Sequence, residues 1–294
     1  MPGSPYTDLD RPPLRVQALQ RALTGPGDFW TRLDVRAETS STNADLAAAA
    51  SAGEPEGLVE VAERQTAGRG RLGRVWQSPP RAGIAVSVLL RPGAARPELG
   101  WSALPPKAYA WLPLLAGVAV AEAVTRLAEL PDGVLPALKW PNDLLINDAK
   151  VAGILAEGVA DGSGEPPAVV VGMGLNVTLR ADELPTSPTG LPATSLRLAG
   201  AEVTDRDPLL RAILRGLATW YERWREADGD AAASGLRGAY LSRCGTVGRT
   251  VRVLLPGGGE FSGTATGVDD SGRLIVRTPQ GDQIVAAGDV LHLR

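Results

Sequence analysis

Four apolar runs crowded between Ala137 and Val171 restrict the fold of this chain more than any other stretch. Ala137–Trp140, Leu144–Ile146, Val151–Ala156 and Ala168–Val171 all read as strands, and Asn147 and Asp148 supply a hairpin turn between two of them. Links this short favour antiparallel neighbours, because a parallel crossover needs about a dozen residues or more. The pattern predicts an α+β fold: a mixed, largely antiparallel sheet with helices packed on it.

Upstream, Leu14–Leu23 reads as a short helix and Thr31–Ala37 as a strand. Ser41 precedes Thr42, Asn43 and an Ala-rich run to Ala50, an N-cap followed by strong helix formers. Gly57–Gln65 and Ile84–Leu90 are β-like runs joined by a long glycine- and arginine-rich loop. Lys107–Leu130 reads as a long buried helix. Its uncharged stretch is interrupted by Pro113 and falls short of the ~20 apolar residues that a membrane span needs, so no membrane association is expected. Asp207–Ala227 spaces Leu210, Ile213, Leu214, Leu217, Trp220, Tyr221 and Trp224 along one face of an amphipathic helix, a core stripe.

From about Thr246 the texture changes. Short apolar strands at Val251–Leu255, Gly263–Val268, Leu274–Arg277 and Gln283–Ala286 alternate with tight turns, the usual look of a small all-β barrel. The expected divisions are an N-terminal extension at 1–30, a main domain at 31–243 and a C-terminal barrel at 244–294.

Composition removes several kinds of chemistry. Thirty Lys and Arg against 33 Asp and Glu leave a net charge of −3, which argues against a general nucleic-acid binder. Acids and prolines between Met1 and Pro13 replace the basic start and apolar run of a signal peptide, so a cytoplasmic protein is expected. Cys244 and His292 are the only residues of their kinds, so no internal disulfide, cysteine-rich metal site or Ser-His-Asp constellation can be assembled. His292 is expected to have a surface or packing role. Any reaction must use Lys, Arg, carboxylates, backbone groups or a bound Mg²⁺.

The segment Gly68-Arg69-Gly70-Arg71-Leu72-Gly73-Arg74 contains G-x-G-x-x-G, but the context is wrong for a dinucleotide site. Trp76, Pro79, Pro80 and a second strand follow where a helix should begin. The loop instead offers guanidinium groups on a backbone that can bend sharply, suited to a multiply charged anion. Arg69 and Arg71 could hold a carboxylate against a phosphate, since arginine binds either in a bidentate fork and keeps its charge when desolvated. A solvated basic turn is the plainer reading.

Lys139-Trp140-Pro141-Asn142-Asp143 leaves a strand, and a hairpin would bring Lys150 back beside it. A lysine at such an edge can neutralise charge that grows on a carboxylate or phosphate during reaction. Asp143 could bind Mg²⁺, a ribose hydroxyl or an incoming ammonium group, and a surface Lys–Asp pair is the alternative. Gly172 to Asn176 closes another apolar strand and places an amide where it could bond a base.

Together with Glu38 to Asn43, Gln65 to Arg74 and Lys150 to Glu157, these segments resemble the biotin protein ligases in order and spacing, from about Thr31 to the end of the chain. The resemblance implies a fold akin to class II aminoacyl-tRNA synthetases with an SH3-like C-terminal barrel. It also implies ATP and biotin as substrates, with Mg²⁺ accompanying ATP, a biotinyl-5′-AMP intermediate, and transfer to a lysine of a biotin carboxyl carrier domain of an acyl-CoA or pyruvate carboxylase. By the same resemblance Ser41, Thr42, Gln65, Gly68, Arg69 and Gly153 would meet biotin. Arg69, Arg71, Arg74, Trp76, Lys150 and Asn176 would meet ATP and the adenylate, and Lys150, Arg69, Arg71 and Asp143 would carry the chemistry.

The chain departs from bifunctional members in two places. Only 37 residues precede Glu38, too few for a helix-turn-helix domain, so no DNA partner is expected, and Leu72 stands where some members have a further arginine. The rival readings are a lipoate ligase of the same fold, a repressor that uses biotinyl-AMP as corepressor, and a non-catalytic nucleotide-binding module.

Overall fold

A computed structural model describes residues 11–160, 164, 166–186 and 190–293. Residues 1–10 of the expected N-terminal extension lie outside the described residues. The chain runs α1 (Val16–Leu23), β1 (Arg32–Arg36), α2 (Thr42–Ser51), β2 (Leu58–Ala62), β3 (Gly83–Leu90), α3 (Trp111–Leu127), β4 (Ala137–Lys139), β5 (Asp143–Ile146), β6 (Ala149–Val159) and β7 (Ala168–Asn176). It continues through α4 (Arg206–Glu226), α5 (Leu236–Leu241), β8 (Thr250–Leu254), β9 (Glu260–Val268), β10 (Leu274–Thr278), β11 (Gly281–Val285) and β12 (Asp289–His292).

The first seven strands form one sheet in the order β1-β2-β3-β7-β6-β5-β4. Only β1 and β2, joined through helix α2, are parallel; the other pairs are antiparallel. Helix α2 packs on one face of the sheet, while α3 and α4 pack together and cover the other. The residues named for the α4 stripe, from Leu210 to Trp224, are all buried.

Two boundaries differ instructively from expectation. Glu157 and Gly158 break the apolar run, yet β6 extends to Val159 because its backbone stays paired with β7. Helix α3 begins at Trp111, after a 3₁₀ turn at Pro106–Ala110. This places Pro113 in the first helical turn, where a missing N–H costs nothing. Counted together, Pro106–Leu127 spans 22 residues, long and apolar enough to cross a membrane, which corrects the sequence-based measure of that run. Leu112, Leu115, Val118 and Val124 are buried between sheet and α4, so here the segment is a core helix. Helix α5 was not expected; six residues are too few to establish a period.

The second sheet, in the order β11-β10-β9-β8-β12, is antiparallel throughout and matches the small all-β unit read from the texture, as well as the SH3-like barrel implied by the resemblance. Val251, Val253, Ala265, Leu274, Val276 and Val290 form its apolar interior. Two tryptophans of the main domain fasten it. Trp111 Nε1 donates to Asp270 O at 2.8 Å, and Trp140 Nε1 donates to Gly272 O at 3.0 Å.

Candidate active site

One in-register row crosses the large sheet from β3 to β4: Ala85, Gly174, Gly153, Asp143 and Lys139. Directly paired residues point to the same face, so this row sets a shallow floor of small residues beside a carboxylate and an ammonium. The indole of Trp76 lies on the two glycines. A Cβ added at Gly174 would stand 2.4 Å from Trp76 Cε2, and one at Gly153 3.2 Å from Cζ3.

Lys150 reaches the same face through a backbone irregularity. Alternation from Gly153 would turn Val151, not Lys150, toward the floor. The register shift between Leu144 and Leu145 breaks that alternation, pairs Lys150 with Leu145 and leaves Val151 buried; re-aiming a side chain is what such bulges do. Lys150 Nζ then lies 2.6 Å from Asp143 Oδ1 and 5.7 Å from the Trp76 ring centroid. Lys139 Nζ approaches Asp143 Oδ2 at 3.8 Å, and its burial lowers its pKa, opposed by the charge of Asp143.

At the other end of the floor the N-terminus of α2 brings in neutral hydrogen-bonding groups. Ser41 caps the helix by accepting from Ala44 N at 3.4 Å. Gln65 Oε1 accepts from Thr42 N at 2.9 Å and from Thr42 Oγ1 at 3.1 Å. The Thr42 hydroxyl lies 2.7 Å from that of Ser87, which donates to Asn43 Oδ1 at 2.6 Å, and Asn43 Nδ2 donates to Glu157 Oε2 at 2.6 Å. Arg69 closes the chain with its guanidinium 3.6 Å from Glu157. Gly172 makes room for Asn43, since a Cβ there would fall 2.1 Å from Asn43 Oδ1.

The glycine-arginine loop folds as a small hairpin. Gly70 N donates to Arg74 O at 2.7 Å and Trp76 N to Gly68 O at 2.8 Å. Its turn places Leu72 at φ 56° and Gly73 at φ 72°, and the leucine side chain is exposed. Gly68 is required where the hairpin closes, because a Cβ would stand 2.4 Å from Trp76 O. Arg71 points inward, donating to Asn142 Oδ1 at 3.2 Å and to Gly288 O at 3.3 and 3.4 Å; burial lowers its pKa. Arg74 pairs with Asp289 at the cavity wall.

These parts enclose a cavity of about 820 Å³. Small-ligand sites span roughly 300–1,000 Å³, so there is room for two reactants end to end. All the expected site residues but Gly68, which supports the wall, line it. Asn176 spends an amide hydrogen on Thr194 O at 2.9 Å, so a base in its reach would also meet its oxygen. His292, expected to have only a surface or packing role, is a wall residue: Nε2 lies 3.0 Å from Thr246 Oγ1, and burial, with Lys139 and Arg249 nearby, lowers its pKa to about 4.

The sequence reading omitted Asn43, Ser87, Glu157, Gly174, Lys139 and Asp289 from the site. A lone serine in the wholly apolar strand β3 was a signal for Ser87. Lys139 and Asn43 lay inside motifs already singled out. Nothing local marks Asp289, which comes from the second sheet.

Residues 36–176 match the Biotin/lipoate A/B protein ligase family, and residues 246–293 match the Biotin protein ligase C terminal domain. The chain is 43% identical over 291 residues to the biotin–[acetyl-CoA-carboxylase] ligase of Mycobacterium tuberculosis, covering 98% of this chain and 100% of that one. It is 35% identical to the bifunctional ligase/repressor of Bacillus spizizenii, covering 87% of this chain and 72% of the relative. Its fold is similar to that of the biotin protein ligase from Aquifex aeolicus in complex with biotin and ATP, with a TM-score of 0.69, 28% identity, and coverage of 90% and 100% of the two chains. A carboxylate-handling ligase fold with a separate small β unit is thus the class, and within it the chain belongs to the biotin protein ligase family.

Proposed function

We propose that this protein joins biotin to ATP and then to a carrier lysine. In the first step a biotin carboxylate oxygen attacks the α-phosphorus of ATP. A new P–O bond forms, the bond to the β-phosphate oxygen breaks, and pyrophosphate leaves. In the second, the uncharged ε-amine of a lysine attacks the activated carbonyl, the C–O bond to AMP breaks, and the amine's proton goes to solvent.

One observation carries the reading: Arg69, Arg71, Lys139 and Lys150 converge on a single floor bounded by a neutral hydrogen-bonding pocket. Ser41, Thr42 and Gln65 suit a ureido ring, which needs donors and acceptors but no charge. Gly153 and Gly174 let the ligand and Trp76 approach the backbone closely. Arg69, Arg71 and Lys150 stabilise the charge that gathers where carboxylate meets phosphorus. Trp76 and Asn176 serve the base, and Asp143, held between two lysines, orients the incoming amine.

Mg²⁺ fits as a companion of the nucleotide. Among the described residues no three His, Cys, Asp or Glu side chains cluster to hold a metal, and Asp143, Glu157 and Asp289 are each committed to cations. Magnesium ordinarily binds through substrate phosphates plus one or two carboxylates.

The substrate protein is, in this reading, the biotin carboxyl carrier domain of an acyl-CoA or pyruvate carboxylase, modified in the cytoplasm. The domain limits at 30/31 and 243/244 belong to the same proposal. Mass spectrometry of a carrier-domain peptide after incubation with biotin, MgATP and the protein tests it; an unmodified lysine overturns it. Biotin-dependent rather than lipoate-dependent pyrophosphate exchange separates the two ligase chemistries, and a salt-dependent gel shift detects DNA binding.

A further inference from the structure

The strand that carries Lys139 is gripped along its outer edge by the link to the second sheet. Leu138 N donates to Arg243 O at 2.8 Å and Gly245 N donates to Leu138 O at 2.8 Å, so Cys244 adds a parallel bridge beside β4. Gly245 allows the approach, since a Cβ there would stand 3.1 Å from that of Ala137. Two residues beyond Leu138, Trp140 N faces the same edge, where the link has already entered a turn, and its partner is a side chain. It donates to Thr246 Oγ1 at 3.0 Å, and Thr246 is fully buried.

The direction of that bond fixes the next one. Thr246 Oγ1 receives a hydrogen from Trp140, so its own hydrogen needs an acceptor, because stranding a buried donor is costly. Among the described residues the acceptor in its reach is His292 Nε2, at 3.0 Å. A ring nitrogen that accepts carries no proton, which places the proton of the neutral imidazole on Nδ1. The surroundings favour that neutral form: burial, with Lys139 and Arg249 nearby, outweighs the charge of Asp148 and lowers the pKa of His292 to about 4. A relay of one direction, from Trp140 N–H through the Thr246 hydroxyl to His292, therefore joins the main sheet to β12. The Trp140 indole is held by Gly272 O, so both N–H groups of this residue are fixed from outside the main sheet. Its chain neighbour Lys139 is 8% exposed with its ammonium toward Asp143, and an uncharged imidazole adds no repulsion to a cation already desolvated.

Resting on the reading of this cavity as a biotinyl-adenylate site, we propose that Thr246 is a positioning residue for its chemistry. The hydroxyl, bonded to Trp140 N and His292 Nε2, sets where Lys139 and Asp143 stand on the floor without itself touching substrate. The other end of the floor is built by α2 and Gln65 and takes nothing from this relay. Losing the hydroxyl therefore misplaces the reacting charges while biotin is held as before, and the effect falls on turnover rather than on biotin binding.

Two readouts test this with the full chain. His292 is the only histidine, so nitrogen-15 labelling of histidine gives a single imidazole spectrum. At neutral pH the wild-type ring should show a protonated Nδ1 and an accepting Nε2, and Thr246→Val should shift the Nε2 resonance. In biotin-dependent pyrophosphate exchange, Thr246→Val should lower kcat about 10–100-fold, the scale of a misplacement of about 1 Å, with the KM for biotin within about twofold of wild type. Thr246→Ser restores the hydroxyl and should return the Nε2 resonance and most of the kcat. A wild-type ring protonated on Nε2 overturns the relay. Wild-type kcat in Thr246→Val, or Thr246→Ser as slow as Thr246→Val, overturns the positioning role, and so does a KM for biotin that rises as steeply as kcat falls, the mark of general loosening. Should wild-type protein show no biotin-dependent exchange, the functional reading fails and the positioning role with it, while the histidine spectrum still decides whether the relay exists.

Discussion

Lys150 Nζ stands 2.6 Å from Asp143 Oδ1 across the β5–β6 hairpin, although strict strand alternation would have turned Lys150 away. The bulge that redirects it also leaves the side chain 28% exposed, open to a ligand. Lys150→Ala is therefore expected to lower biotin-dependent pyrophosphate exchange by about 10²–10³-fold, the range for removing one preorganised electrostatic donor. Thermal unfolding should change little. Unaltered exchange would show that Lys150 lies outside the chemistry.

Asp143 behaves differently because it sits between two ammonium groups. Asp143→Asn leaves Lys139, only 9% exposed, without its anion and should cost about 3 kcal/mol in urea unfolding, as expected for one half of a buried pair. Replacing Lys139 as well, in Lys139→Met with Asp143→Asn, should recover most of that loss.

The seat of Trp76 depends on the missing side chain at position 174. In Gly174→Ala the new methyl would overlap the indole, and the displaced ring should raise the KM for ATP about tenfold, a shift of roughly 1.4 kcal/mol. Gly267→Ala, where nothing lies within 4 Å of the added Cβ, is the control and should be silent.

Ser87 links Thr42 to Asn43 beneath α2 and is fully buried. Ser87→Ala strands the Asn43 carbonyl oxygen and leaves the Thr42 hydroxyl with Gln65 alone, at a cost of about 1–3 kcal/mol. Because Thr42 also holds Gln65, biotin affinity measured by calorimetry should fall together with stability.

Buried Glu60 and half-buried His292 should give the pH dependence of stability opposing slopes. Glu60, raised to about 7 chiefly by burial and then by Asp45, favours the fold when protonated, so its contribution is present below its ordinary carboxylate range and is lost as pH rises toward 7. His292, lowered to about 4, favours the fold when neutral, so its contribution is lost as pH falls from about 6.5 toward 4. Melting temperatures between pH 4.5 and 8 should show Glu60→Gln flattening the alkaline decline and His292→Gln flattening the acid one.

Much of this architecture was legible where local chemistry repeats. The Ala137–Val171 spacing required antiparallel pairing, the α4 stripe was buried as its period implied, and Ser41 capped its helix. The glycine-arginine and Lys-Trp-Pro-Asn-Asp segments located the floor and two of its cations. What could not be read are relationships created by register and by distance along the chain. Gly174 became a site residue by pairing with Gly153, and Asp289 by the docking of another sheet on Trp111 and Trp140; the sequence named Lys150, but not the one-residue shift that aims it. Glu157 closed one of the quoted motifs but was given no role, because a strand-ending acid ordinarily means solvent, whereas here it meets Asn43 and Arg69.

The central pairing of the large sheet has a kinetic consequence. Strands β3 and β7 join Gly83 with Asn176 and Leu90 with Val169, contacts between parts of the chain made far apart during synthesis, whereas β8 to β11 zip together through adjacent turns. Because distant pairings form slowly, the little C-terminal meander should acquire protected amides first, and the floor of the candidate cleft, which straddles β3 and β7, should be among the last parts of the molecule to set.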